Sequence, residues 1–165
     1  MKKGLSSVKS DKTMRKMSFS LAINEALHQV MAQDASVFVI GQGVKSPWYV
    51  GNTCQGLLER FGEKRVIDTP VSENAITGAA VGAAIAGMKP VVVHPRMDFM
   101  FYAFDPIINQ AANWHYMNGG RASVPVVFWG DHQPRRRTGS PAFTGHTRNV
   151  RPCSGYQSGN ASNTV

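Results

Sequence analysis

Glu73 is the residue best placed to do chemistry in this chain. It ends the run Asp68-Thr69-Pro70-Val71-Ser72-Glu73 and stands at the head of a stretch, residues 75–87, built almost wholly of small residues. A Pro-containing turn followed by Ser and an acid predicts a helix start, with Glu73 in or just before its first turn. The ordinary reading of such an acid is a capping carboxylate facing the helix dipole. The helix behind it points further. Gly78, Gly82 and Ala86 recur every four residues and form a bald stripe that lets another backbone approach closely. Each glycine costs a helix roughly 1 kcal/mol against alanine, so glycine spent this way has a packing reason.

The elements that must position Glu73 follow from periodicity. Residues 18–33 place Phe19, Ala22, Ile23, Ala26, Leu27, Val30 and Met31 at helical spacing. Val37-Phe38-Val39-Ile40 is wholly apolar and ends at Gly41, which predicts a buried parallel strand leading into a loop over 41–53. A helix over 54–61, a short strand at Val66-Ile67, a small-residue helix over 74–88 and a strand at 91–93 come next. A helix over 100–117 and a strand over 124–128 complete the pattern, with Pro125 suiting an edge or a strand start. This alternation predicts an α/β fold, an open parallel sheet with helices on both faces. Ligands of such sheets sit beyond the carboxyl ends of the strands. The loop carrying Glu73 and the segment carrying Phe99 both reach that edge.

Composition narrows the function classes. The chain has 165 residues, 42% of them hydrophobic, enough for one domain with a real core. It contains no apolar run long enough for a membrane span and no secretory signal. Cys54 and Cys153 make neither a disulfide framework nor a metal site, and a reducing, cytoplasmic setting fits them. The net charge of +8 suggests nucleic acid, yet it sits at the two ends. Residues 1–16 carry six Lys/Arg against one Asp, and residues 131–165 carry five Arg against one Asp. The body between them holds seven basic and eight acidic residues, so no charged face of the domain invites nucleic acid.

From about Ser18 to Gly130 the chain resembles the β subunit of the thiamine-diphosphate-dependent 2-oxoacid dehydrogenases, the E1 component of pyruvate-dehydrogenase-type complexes. The resemblance rests on D-T-P-V-S-E at 68–73 and A-V-G-A-A-x-A-G at 80–87. It continues through Phe104-Asp105, Asn109, Ala111-Ala112 and Tyr116-Met117-Asn118-Gly119-Gly120. It implies a transketolase-like pyrimidine-binding domain, here truncated, over residues 17–130, preceded by a basic flexible leader at 1–16. It also implies that the Glu73 carboxyl hydrogen-bonds N1′ of the thiamine diphosphate aminopyrimidine and promotes its 4′-imino tautomer. Glu73 is thus the implied catalytic residue. Phe99, Val71 and Tyr102 are implied to line the cofactor with it; the alternative for Phe99 is core packing beside Phe101 and Phe104, and packing is the commoner role for a valine like Val71. Asp105 and Asn109, four apart, are expected to fix local structure, and His94 at a strand end has no role that the resemblance supplies.

Partners follow in the same way. The chain lacks a G-D-G…N pattern for magnesium and diphosphate, so Mg2+ is expected on a partner E1 α subunit, with an α2β2 heterotetramer and an E2 acyltransferase core beyond it. No metal site, nucleic acid or membrane is expected for this chain itself. Gln42 stands where many members carry an acid, Pro106 where Gln is common, and His94-Pro95-Arg96 also departs from the pattern. These differences leave pyruvate, a branched-chain oxoacid and acetoin open as substrates.

Residues 131–165 break the pattern. The resemblance implies H-S-Q and later F-A-H-x-P-G-x-K-V-V-x-P in this region. Read one base late, the codons available to residues 131–145 permit a run into H-S-Q. Those from Val150 through Ser162 permit F-A-H-V-P-G-I-K-V-V-M-P in order. Residues 131–165 therefore read as an out-of-frame disordered tail behind a frameshift near Gly130, and the chain as written should be inactive alone. Three other readings compete: a transketolase or deoxyxylulose-phosphate synthase type of thiamine enzyme, a basic-armed nucleic-acid-binding module, and a non-catalytic interaction domain using the bald helix.

Overall fold

The computed structural model describes residues 15–46 and 49–130. The expected leader therefore falls almost wholly, and the expected tail wholly, outside the described residues. Four strands, β1 (Val37–Gly41), β2 (Val66–Asp68), β3 (Lys89–His94) and β4 (Val127–Gly130), form one parallel sheet in the order β2-β1-β3-β4. Between them lie the helices α1 (Phe19–Gln33), α2 (Leu57–Phe61), α3 (Glu73–Ile85), α4 (Met97–Met100) and α5 (Asn113–Met117).

The alternation of β1 divides the core. Val37 and Val39 face one side with Val66 and Val93, under Leu27 and Met31 of α1 and Leu57 of α2. Phe38 and Ile40 face the other with Val92, under Ile76 and Ala80 of α3. Every residue of β1 is buried, as the unbroken apolar run requires of a central parallel strand. The expected open sheet with helices on both faces is what forms. Arg65 ties the amino-terminal side together, donating to the carbonyls of Met31, Asp34 and Val37.

Three expected elements come out differently. Residues 54–56 form turns, so α2 begins only at Leu57, after Gly56 in the left-handed region at φ +75°. The single helix expected over 100–117 is broken into α4, a 3-10 turn at Phe101–Ala103, a π-helical segment at Asp105–Ala112 and α5. Pro106 sits in the first turn of the π segment and has no N–H to donate to the preceding turn, so the ordinary ladder cannot run through it. Finally β4 starts at Val127, not at Val124, because Pro125 cannot donate to a ladder. The strand does lie at the end of the sheet.

Candidate active site

The carboxyl ends of β1 and β3 meet at the first turn of α3. Gly41 pairs with Val93 in the register, so Gln42 and His94, the next residue on each strand, come side by side at the sheet edge. The approach at Gly41 is tight: a Cβ there would stand 2.2 Å from the Val93 carbonyl oxygen. Glycine is what allows the two strands to deliver these side chains so close together.

Glu73 is the first residue of α3, following Ser72, whose side chain makes no cap. Its carboxylate is engaged elsewhere than on the helix amides. Oε1 accepts a 3.0 Å hydrogen bond from Gln42 Nε2, and Oε2 has no partner among the described residues. The plain capping role is thereby displaced. Gln42 is only 7% exposed, a buried amide whose carboxylate partner Glu73 is half-buried at the edge.

Behind this pair lies a second one. One turn along α3 from Glu73, the buried Thr77 hydroxyl sits 3.1 Å from Nε2 of His94, which is 1% exposed. Burial pushes the His94 imidazole below its ordinary pKa by disfavouring the charged form, and the negative charge of Glu73 works in the opposite direction. His94 Nδ1 has no partner, and neither has the buried Thr69 Oγ1 in the turn before Glu73. These are the buried side-chain polar atoms left unpaired among the described residues, and both belong to the carboxyl edge. Asp68, at the end of β2, is occupied with structure: its Oδ1 accepts from the amides of Gly43 and Thr69 at 2.6 and 3.0 Å.

The other expected site residues lie along the same edge without touching Glu73 through a hydrogen bond. Val71, in the bend before α3, is 78% exposed. Phe99, in α4, is 40% exposed, with the Arg96 guanidinium 5.7 Å from its ring centre. Tyr102 stands 76% exposed on the 3-10 turn, a segment that packs against α3. None of the three belongs to the buried core of the described residues. Asn109 donates to Asp105 at 2.9 Å, the local tie expected of that pair. The Gln42 and Thr77 contacts are what sequence reasoning missed. The register of β1 against β3 was the signal, since it alone brings Gln42 beside the end of the Val91-Val92-Val93 run.

A carboxylate with one oxygen fixed and one open can accept or hold a proton for a ligand at the sheet edge. The exposed Val71 and Phe99 along the same edge suit a flat ring, while Thr69 Oγ1 and His94 Nδ1 are buried polar atoms without partners. The residues present thus fit the aminopyrimidine part of thiamine diphosphate. Among the described residues no group of three or more His, Cys, Asp or Glu side chains able to hold a metal ion occurs.

Comparison with known proteins places this edge in context. The family model described as the transketolase pyrimidine-binding domain matches residues 15–158. The pyruvate dehydrogenase E1 component subunit beta of Rickettsia felis is 42% identical over 132 residues, covering 80% of this chain and 39% of that protein. The beta subunit of the acetoin:2,6-dichlorophenolindophenol oxidoreductase of Cupriavidus necator is 46% identical over 123 residues, covering 68% of this chain and 36% of its own. The mitochondrial pyruvate dehydrogenase E1 beta subunit of Saccharomyces cerevisiae is 42% identical over 114 residues, 69% of this chain and 31% of that one. The likeness to E1 β subunits expected from the motifs therefore holds. The chain spans about two fifths of the length of the Rickettsia relative.

Proposed function

Because this chain belongs to the family of transketolase pyrimidine-binding domains, we propose that it forms the pyrimidine half-site of a thiamine-diphosphate-dependent 2-oxoacid dehydrogenase, as an E1 β subunit. The observation that carries this reading is Glu73: one oxygen held by Gln42, the other without a partner among the described residues. In this role Glu73 would hold the aminopyrimidine nitrogen through a shared proton, and the exposed Val71, Phe99 and Tyr102 side chains would border the ring. When bound, thiamine diphosphate supplies the electron sink for decarboxylation. The chain's own residues orient the cofactor and control one proton.

The relatives named as pyruvate dehydrogenase β subunits favour pyruvate, and the acetoin oxidoreductase relative keeps acetoin as the competing substrate. Mg2+ and the diphosphate belong to an E1 α partner in an α2β2 assembly, with an E2 acyltransferase core receiving the acyl group. The outward face of α3 suits such a partner. Ala75, Gly78, Ala79, Gly82 and Ala86 are all exposed there, and no atom lies within 4 Å of where a Cβ on Gly78 or Gly82 would stand. Among the described residues no helix is long and apolar enough to cross a membrane. A reducing, cytoplasmic setting accords with Cys54 being a buried free thiol.

The domain reading is part of the proposal: residues 17–130 as an incomplete pyrimidine-binding domain, 1–16 as a leader and 131–165 as out of frame, with the chain as written inactive alone. Resequencing the DNA across the Gly130 and Asp131 codons tests the frame. The frame-restored subunit, co-expressed with an E1 α subunit, should decarboxylate pyruvate, a branched-chain 2-oxoacid or acetoin with an artificial electron acceptor. Glu73→Gln should lower that activity by a factor on the order of 100 or more, with the assembly intact by gel filtration. Equal activity of Glu73→Gln and wild type would refute the reading.

A further inference from the structure

As the pyrimidine partner, Glu73 has one duty, to present an oxygen to a ring nitrogen. A glutamate at the first position of a helix has three side-chain torsions and several staggered states for each. Left alone it would swing to the helix amides, the partners that its position offers. In this chain it does not. Gln42, anchored directly after the tight Gly41–Val93 crossing, reaches across from β1 and takes Oε1 at 3.0 Å. The amide is itself buried, so its own rotamer is set by packing.

We propose that Gln42 is a positioning residue that clamps Glu73 through Oε1, so that Oε2 alone faces the ligand at the sheet edge. This rests on the reading of Glu73 as the pyrimidine partner. The chemistry of an amide matters here. A carboxylate offers two equivalent oxygens and can turn either to a ligand, whereas the Gln42 N–H marks one of them as taken. An amide nitrogen neither gives up nor takes a proton near neutrality, so Gln42 orients the acid without sharing its proton. The other titratable groups at this edge are His94, whose nearer nitrogen is on Thr77, and Asp68, whose Oδ1 is on the amides of Gly43 and Thr69. Neither hydrogen-bonds Glu73, which leaves Gln42 as its direct constraint among the described residues.

The test uses the full 165-residue chain labelled with 15N at glutamine and 13C at glutamate. The Gln42 side-chain amide should give an exchange-protected, downfield proton whose shift follows the pH titration of the Glu73 carboxyl carbon, and Glu73→Gln should abolish that dependence. A probe, 4-amino-5-hydroxymethyl-2-methylpyrimidine, is then titrated. Gln42→Leu should weaken its binding about tenfold, the order of the rotamer freedom that an unclamped Glu73 would have to give up on binding. Gln42→Glu, which exchanges the donor for a second acid, should weaken it as well.

An amide that ignores the Glu73 titration, or a Gln42→Leu chain that binds the probe like wild type, would overturn the clamp. A probe that binds wild type and Glu73→Gln equally would overturn the pyrimidine reading while the amide titration stood. The two failures are therefore separable.

Discussion

Replacing Gly41 by alanine should unfold the site from beneath. The new Cβ would meet the Val93 carbonyl oxygen at 2.2 Å, Val93 Cβ at 2.9 Å and the Val93 carbonyl carbon at 3.0 Å. Ordinary contact begins at 3.4 Å, so the oxygen clash alone asks β1 and β3 to part by about 1.2 Å. No flexible side-chain tip is available to absorb it, because two of the three atoms are backbone. These are the two central strands, paired from Val37–Lys89 through Gly41–Val93, so parting them sacrifices the last rungs of the ladder. Overpacking of this kind costs about 1–3 kcal/mol, and a lost backbone hydrogen bond about 1 more. Against this stands the roughly 0.4–1 kcal/mol that alanine takes from the unfolded chain's freedom. The net expectation is a loss of about 2 kcal/mol, a large share of a small domain's stability. Urea unfolding followed by tryptophan fluorescence reads it directly, with Trp129 packed against the larger core as an internal probe. A Gly41→Ala chain within about 0.5 kcal/mol of wild type would refute the claim that this crossing sets the strand spacing.

Gly78→Ala and Gly82→Ala make the converse case. No atom stands in the way of either Cβ, so each should stabilise the isolated chain by about 1 kcal/mol in the same urea assay, while weakening association with an E1 α partner if the stripe is its seat. His94 gives the fold a pH dependence. Its folded-state pKa lies below the ordinary 6.5 through burial, so between those two values the unfolded chain binds more protons. Stability should hold above about pH 6.5 and fall as the pH drops below it, and His94→Gln should flatten that slope in urea titrations at several pH values. Cys54 should resist alkylation in the folded chain, since burial pushes its thiol up to about 11 despite the opposing Thr53 hydroxyl; reaction should appear only on unfolding in a Cys153→Ser background. Lys89→Ala should bring the Asp34 carboxyl, now held well below the usual range first by its hydrogen bond to Lys89 and then by Ser36, back toward normal. NMR titration of the Asp34 carboxyl carbon reads that change.

Much of this molecule is legible because its signals are local. The apolar run at Val37–Ile40 dictates a two-sided buried strand, and the core divides on its alternation. Pro70 and Ser72 mark the start of α3 well enough to place Glu73 in its first turn. Asp105 and Asn109 meet because four residues along a helical path bring them together, even through a π segment. What escaped the sequence is non-local. The Gln42–Glu73 bond spans 31 positions and exists only because of where β1 stops relative to α3. The Thr77–His94 pair depends on how α3 packs against β3, which periodicity cannot supply. The broken helix over 97–117 escaped for a different reason: Pro106 lies within a convincing helical pattern, and the missing N–H changes the ladder without changing the hydrophobic spacing.

The central claim is that Glu73 receives the pyrimidine nitrogen. The most direct measurement is the 15N chemical shift of N1′ in labelled thiamine diphosphate, bound to the frame-restored subunit in complex with an E1 α subunit. A shift of N1′ to the hydrogen-bonded or protonated position in wild type, lost in Glu73→Gln, is the predicted result. An N1′ signal that is the same in both, with the cofactor bound, would contradict the account.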